Sequence, residues 1–489
     1  MTSPADGARP AAVNDPEAIR VQLARLREER GEVTPGQAAA RAGSGFDLVV
    51  RGARVLTTAG VLAREVGVTD GTITALEPLG ADLRGDQVVT LADDEALLPG
   101  LVDAHVHVNE PGRTDWEGFS SATRAAAAGG VTTILDMPLN SIPSTVNGPA
   151  LELKQWVAAP QVFVDVGFWG GAVPGNVADL EPLWDAGVFG FKCFLADSGV
   201  EEFPPLAPAQ FSEALTEIAR FGGLMIVHAE DARVLADAPS GPSRSYADFV
   251  LSRPDEAETA AIRQVLDGAR DTGARVHILH LSSAKALDLI AAARDEGLPV
   301  TVETCPHYLS FSAETIPDGA SQFKCCPPIR DSGNREALWQ ALRDGIIDCI
   351  VSDHSPATAE EKNRGDGDLQ QAWGGVSGLQ VGFSVLAHEA RRRGIPLSDL
   401  SRWMSRNTAD LVGLDRKGRI EVGADADFAV YDTNAEFRVE AARLAHRNPI
   451  TAYDGLRYGG RVVRSVVRGN AIDVERVDHT FGQQLRRTA

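Results

Sequence analysis

Eight short apolar runs recur along the middle of the chain, separated by stretches with helical spacing. They are LVDAHVHV (101–108), VTTILDM (131–137), VFVDVGFW (162–169), VFGFKCFL (188–195), LMIVHA (224–229), RVHILHL (275–281), PVTVETC (299–305) and DCIVSD (348–353). A strand that is apolar on nearly every residue needs cover on both faces, the condition of a parallel sheet wrapped by helices. Eight strand–helix repeats over about 250 residues match the count and size of a TIM (β/α)8 barrel. The expected fold class is therefore α/β, with chemistry placed where strands end and loops begin.

The flanks read differently. From Asp47 the pattern changes to short strands with turn signals, DLVVRGARVLT and then REVGVTDGTITALEP, where Asp70 and Gly71 supply the positive-φ pair of a tight hairpin. The same texture returns in ADFAVYDT (426–433) and RVVRSVVRGNAI (461–472), so both ends are expected to build one small β-sandwich domain. The expected division is an extension over 1–45, the β-domain in two parts over 46–98 and 420–475, a barrel over 99–419 and a tail over 476–489. In the extension, Asp15 as N-cap, Pro16 at the first helical position and Ile19, Leu23 and Leu26 on one face mark an amphipathic helix. It fits a docking arm or a solvated appendage equally.

Charge narrows the partners. The chain has 47 Lys and Arg against 68 Asp and Glu, a net charge of −21, which repels phosphate backbones and anionic lipid. Neither nucleic acid nor a membrane is expected as a partner. No apolar run approaches the roughly 18 residues of a membrane span, and the first residues lack the order of a signal peptide. The five cysteines (Cys193, Cys305, Cys325, Cys326, Cys349) are an odd number without a CxxC pair, which fits reduced thiols in a cytoplasmic protein.

His105 and His107 lie two apart on the first run, and a period of two sends both side chains to one face. Further donors stand at the ends of other runs: Lys192 on the fourth, His228 on the fifth, His280 on the sixth and Asp353 on the eighth. Nitrogen and carboxylate ligands without thiolate suit a catalytic site for zinc, manganese, cobalt or nickel rather than a structural zinc. A protonated amine is no metal ligand, but reaction of neutral Lys192 with carbon dioxide makes a carbamate, a carboxylate that can bridge two ions. The chain carries only six lysines among its 47 basic residues, so a lysine inside an apolar strand reads as a chemical need. Its alternative is a buried lysine paired with a carboxylate.

A set of ordered motifs adds to this. GLVDAHVHVNEPGRTDWEGF (100–119), DMPLNSIPST (136–145), GFKCF (190–194), IVHAED (226–231), HLSSAKA (280–286), TCPHYL (304–309), CPPIRD (326–331), VSDHSP (351–356) and AWGGVSGLQ (372–380) resemble the cyclic amidohydrolases over most of residues 46–475. The resemblance implies two divalent ions per subunit, zinc first, with cobalt, manganese or nickel as alternatives. His105, His107, carboxylated Lys192 and Asp353 would hold one, and Lys192, His228 and His280 the other, with Asp353 also the catalytic proton shuttle. It further implies a homotetramer acting on a small cyclic ureide.

Within the family, dihydroorotases carry HxHxR and an asparagine in MPNT, whereas Asn109 and Leu139 stand here, with Asn140 following. Without that guanidinium the bidentate reader of a substrate carboxylate is missing. Hydantoinases and dihydropyrimidinases usually place a tyrosine soon after the carbamate lysine, and FKCFLADSG has none. The reaction implied is hydrolytic opening of the hydantoin ring of allantoin to allantoate by a hydroxide bridging the two ions. Hydrolysis of another cyclic ureide is the alternative within the family, and a noncatalytic scaffold is the alternative outside it.

Several residues are expected outside the ligand set. His277 and His354 fall on the opposite strand face from His280 and Asp353. His307 is expected as a hydrogen bonder in a loop, and His388, His446 and His479 as solvated or satisfied rings. Cys325 and Cys326, where relatives often have serine at position 326, are expected near the pocket. The segment 358–371 reads either as a mobile cover over the site or as an ordinary surface loop.

Overall fold

The computed structural model describes residues 13–30 and 45–487. The N-terminal flank forms β1 (Phe46–Thr57), β2 (Gly60–Thr69), β3 (Thr72–Pro78), β4 (Gly85–Thr90) and β5 (Glu95–Pro99). Asp70 and Gly71, at φ 49° and 72°, close the β2–β3 hairpin, in which Thr69 faces Thr72.

All eight apolar runs are strands. They give β6 (Leu101–Val106), β7 (Val131–Asp136), β8 (Asp165–Phe168) followed by the short β9 (Gly170–Gly171), β10 (Phe191–Phe194), β11 (Leu224–His228), β12 (Arg275–Ile278), β13 (Val300–Thr304) and β14 (Cys349–Ile350). Neighbours pair in parallel and in chain order, β6 to β8 in one sheet and β9 to β14 in another. Beyond β14 the chain returns to β6: Val106 bridges His354 in parallel, and His107 N donates to His354 O at 2.8 Å. Every residue of β6, β7, β8, β10 and β11 is buried, as strands with cover on both faces must be. The connecting helices supply that cover. Helix Asp255–Thr272, for example, has acids in its first turn, ends on Gly273 at φ 71° and buries Ile262, Val265 and Leu266.

The C-terminal flank forms β15 (Phe428–Arg438), β16 (Arg457–Val467) and β17 (Asn470–Ala471). These join the N-terminal strands in one eight-stranded sheet, ordered β17-β16-β15-β5-β1-β2-β3 with β4 beside β1. The seam is the antiparallel β5–β15 pair, with Leu97 opposite Val430. A core of its own, including Leu48, Val66, Ile73, Leu97 and Phe428, underlies it.

Helix Pro16–Arg30 resolves the two readings of the extension in favour of docking. Ile19 and Leu23 are buried against Ala150 and Leu153 of helix Gly148–Ala158, Leu26 packs at the edge, and Arg27 pairs with Glu152 at 2.8 Å. The C-terminal segment is also seated: Gly482 N donates to Val162 O, and Gln484 bridges Val166 beside β8. Among the described residues no helix is long and apolar enough to cross a membrane.

Lys417 fastens the sheet to the parallel strands. Its buried ammonium lies 2.5 Å from Asp165 in β8, 2.8 Å from Asp427 and 2.9 Å from Asp425, and Arg468 also pairs with Asp165. Burial works against that charge, but the three carboxylates more than offset it and hold the amine protonated. Lys417→Met leaves these acids short of a partner and should cost about 3–5 kcal/mol of unfolding free energy in denaturant titration. A loss below about 1 kcal/mol would show that the cluster does not hold the two parts together.

Candidate metal centre

The six predicted donors come together at the C-terminal ends of the parallel strands. His105 lies in β6 and His107 just beyond it, Lys192 in β10, and His228 at the end of β11; His280 and Asp353 follow β12 and β14 closely. His105 Nε2 is 3.2 Å from Asp353 Oδ1, and His107 Nε2 is 3.7 Å from the same oxygen. Lys192 Nζ is 3.4 Å from His105 Nε2. His228 Nδ1 and His280 Nε2 face each other at 3.1 Å, and the His105 and His280 rings are 5.4 Å apart. His280 and Asp353, at φ 35° and 44°, are non-glycine residues in the left-handed region, where a backbone is retained only if its surroundings demand it.

Outer partners aim the rings. His107 Nδ1 lies 3.1 Å from Leu139 O, an obligate acceptor, so Nδ1 carries the proton and Nε2 faces the centre. His105 Nδ1 is 2.5 Å from Glu303 Oε1, with the same result. His228 is turned the other way: Nε2 meets Glu230 Oε2 at 2.7 Å, and Nδ1 points inward. Glu303 also accepts from His280 N and engages His277, whereas Glu230 is held by Arg253 Nε at 3.0 Å. Sequence reasoning missed both glutamates. The signal was present, since an acid at Glu303 inside the apolar run PVTVETC has the same difficulty as Asp353.

Burial dominates the electrostatics. It pushes all four histidines below their usual range, with the Lys192 ammonium and neighbouring rings adding to the effect at His105, His107 and His280. It lowers Lys192 to about 8, against the pull of Asp353, which brings the neutral amine needed for carbamate formation within reach. It raises Asp353 to about 7. His280 Nδ1 is buried without a hydrogen-bond partner. Neutral imidazoles aimed inward beside a carboxylate are the donor set a divalent cation takes, and ligand atoms of His105, His107 and Asp353 all lie within 4.8 Å of one another. The residues present therefore fit such an ion.

A cavity of about 580 Å³ opens above this floor, lined by His107, Lys192, His228, His280 and Asp353. Leu139, Asn140, Phe194, Cys326 and Trp373 contribute to its walls. Asn109 is consumed in supporting one wall: its Oδ1 accepts from Asn140 at 3.1 Å and its Nδ2 donates to Pro356 O at 3.3 Å. Segment 358–371 contains helix Ala359–Lys362, whose buried Lys362 donates to Trp373 O and Gly375 O, and Arg364, Gln370 and Gln371 reach the cavity.

Two histidines, His307 and His446, differ from their expectations. His307 sits in helix Pro306–Ser310, because Pro306 starts a helix directly after β13, and neither ring nitrogen has a hydrogen-bond partner. His354 Nε2 meets Glu117 at 3.3 Å, and His388 and His479 each accept a backbone N–H. His446 is buried beside His354, with Nε2 unpartnered.

Residues 96–472 match the sequence pattern of the amidohydrolase family. The chain belongs to that family. An amidohydrolase by this match, it is similar to an allantoinase of Streptomyces avermitilis, 55% identical over 429 residues that cover 88% of this chain and 96% of that protein. Allantoinases of Saccharomyces cerevisiae and Arabidopsis thaliana are 48% and 44% identical, over 77% and 86% of this chain and 82% and 86% of theirs. Among solved structures, an L-hydantoinase (dihydropyrimidinase) from Arthrobacter aurescens superposes with a TM-score of 0.84 at 29% identity, covering 90% of this chain and 100% of that one.

Glu303 orients His105 as a metal-site carboxylate orients a ligand. Glu303→Gln should lower bound metal or turnover by about 10–100-fold while the protein stays folded. Metal analysis and steady-state rates on the same preparation check this, and parental values for both would remove Glu303 from the account.

Proposed function

We propose that this amidohydrolase opens the hydantoin ring of allantoin by hydrolysis to give allantoate. The observation that carries the reading is the convergence of five of the donors on the floor of one cavity, with the sixth, His105, buried directly against Lys192 and Asp353, in a chain 55% identical to an allantoinase over 88% of its length. His105, His107, Lys192 as its carbamate, and Asp353 would hold one divalent ion, with Lys192, His228 and His280 holding a second. Zinc is the first expectation, with cobalt, manganese or nickel as alternatives. When bound, such ions polarise a carbonyl and bring the pKa of a water toward neutrality.

The protein's own groups then perform three tasks. Asp353 Oδ1, close to both His105 and His107, is placed to take the proton of the attacking water and return it to the departing ring nitrogen. One C–O bond forms and the ring C–N bond breaks, so the water proton ends on that nitrogen. The apolar side of the cavity, Leu139 and Phe194 among it, limits bulk water around the reacting bond. Asn140 and the backbone of Gly374 offer polar groups to the ureide.

The wider reading follows the same resemblance. The ring of parallel pairings is a TIM barrel over 99–419, and the shared sheet belongs to a β-sandwich domain over 46–98 and 420–475. The assembly is a homotetramer in the cytoplasm, acting on a small cyclic ureide.

Steady-state assays of metal-loaded protein on allantoin, hydantoin, dihydrouracil and dihydroorotate test the substrate. Allantoin should have the highest kcat/KM, and a higher value for any of the others would overturn the assignment. Lys192→Arg, which keeps a cation but cannot form the carbamate, should lower kcat/KM by roughly a thousandfold or more.

A further inference from the structure

We propose that the docked N-terminal segment is a functional part of the cavity, with Asn14 as a positioning residue that ties two of its walls together. The inference rests on the cyclic-ureide reading above and adds to it a role for chain outside the matched region. Asn14 precedes helix Pro16–Arg30 and is half-buried between two loops. Its Nδ2 donates to Glu202 O at 2.9 Å, in the loop that follows β10. Its Oδ1 accepts from Ser144 N at 3.0 Å, and its backbone carbonyl accepts from Asn147 Nδ2 at 2.9 Å, both in the loop that follows β7. A planar amide with one donor face and one acceptor face suits this bridge.

Both loops reach the cavity. The first carries Phe194 and Ala196 through Gly199 into the lining, and the second carries Leu139 and Asn140. Arg113 makes a second link between them, donating to Asn140 O at 2.6 Å and pairing with the Glu202 carboxylate. The chain Asn14, Glu202, Arg113, Asn140, Asn109 therefore runs from the extension to the cavity wall through contacts of 3.1 Å or less. Ile19 and Leu23, buried on helix Gly148–Ala158, keep Asn14 in register with this chain. Among its described residues nothing in the segment makes a hydrogen bond or ion pair with the six donors, so its effect should fall on substrate binding rather than on the chemical step.

Asn14→Ala deletes two of the three bridging bonds. It should raise KM for the best cyclic ureide about fivefold to tenfold, with kcat held within about twofold and metal content unchanged. Amide hydrogen exchange should quicken in 137–147 and 195–206 but not in β11 or β12. The double variant Ile19→Glu/Leu23→Glu, which detaches the helix from its seat, should reproduce both effects. Parental KM and exchange in both variants would overturn the proposal, as would a loss confined to kcat. Should the parent protein turn over no cyclic ureide, the reading of its function fails, and the exchange comparison alone decides the role of Asn14.

Discussion

Four imidazoles, an amine and a carboxylate are buried within a few ångströms of one another, where an isolated charge is costly. The rest of the site answers that constraint. Burial holds the histidines neutral and draws Lys192 and Asp353 toward neutrality. Glu303, Glu230 and the Leu139 carbonyl each occupy the outer nitrogen of a ring, so that the inner nitrogen faces the centre. The left-handed backbone at His280 and Asp353 turns these side chains inward where the strands end. A pair of cations would relieve the arrangement, and binding them would stabilise the folded state that prepares it.

The scaffold is closed at both ends of the sequence. Residues near each terminus share one sheet through the β5–β15 seam, and buried Lys417 links that sheet to β8. The N-terminal helix then crosses to the opposite task, gripping loops at the cavity mouth through Asn14. Parallel strands fix the floor, whereas the walls depend on long-range contacts between loops.

What could be read from sequence follows from how local each signal is. The eight strands were legible because cover on both faces makes each run apolar throughout, and His105 and His107 because strand side chains alternate with a period of two. The hairpin at Asp70 and Gly71 was legible from its dipeptide. Lysine scarcity was a weaker guide than it appeared. Five of the six lysines are buried, Lys154 on Asp136, Lys417 on three aspartates and Lys324 and Lys362 on carbonyls, so burial of a lysine does not single out Lys192. Glu303, Glu230 and Asn14 act through partners tens to hundreds of residues away or through the tautomer of a ring, and neither leaves a periodic trace. His307 lies in a short helix rather than the expected loop because Pro306, with its fixed φ and missing N–H, starts a helix directly after β13.

Intact-mass measurement of the active, metal-loaded protein under non-denaturing conditions tests the central claim most directly. The account predicts a mass above that of the bare chain by one carbon dioxide and two divalent ions per subunit, with the carbon dioxide lost in Lys192→Arg. A fully active protein carrying neither ions nor the added carboxyl group would contradict it.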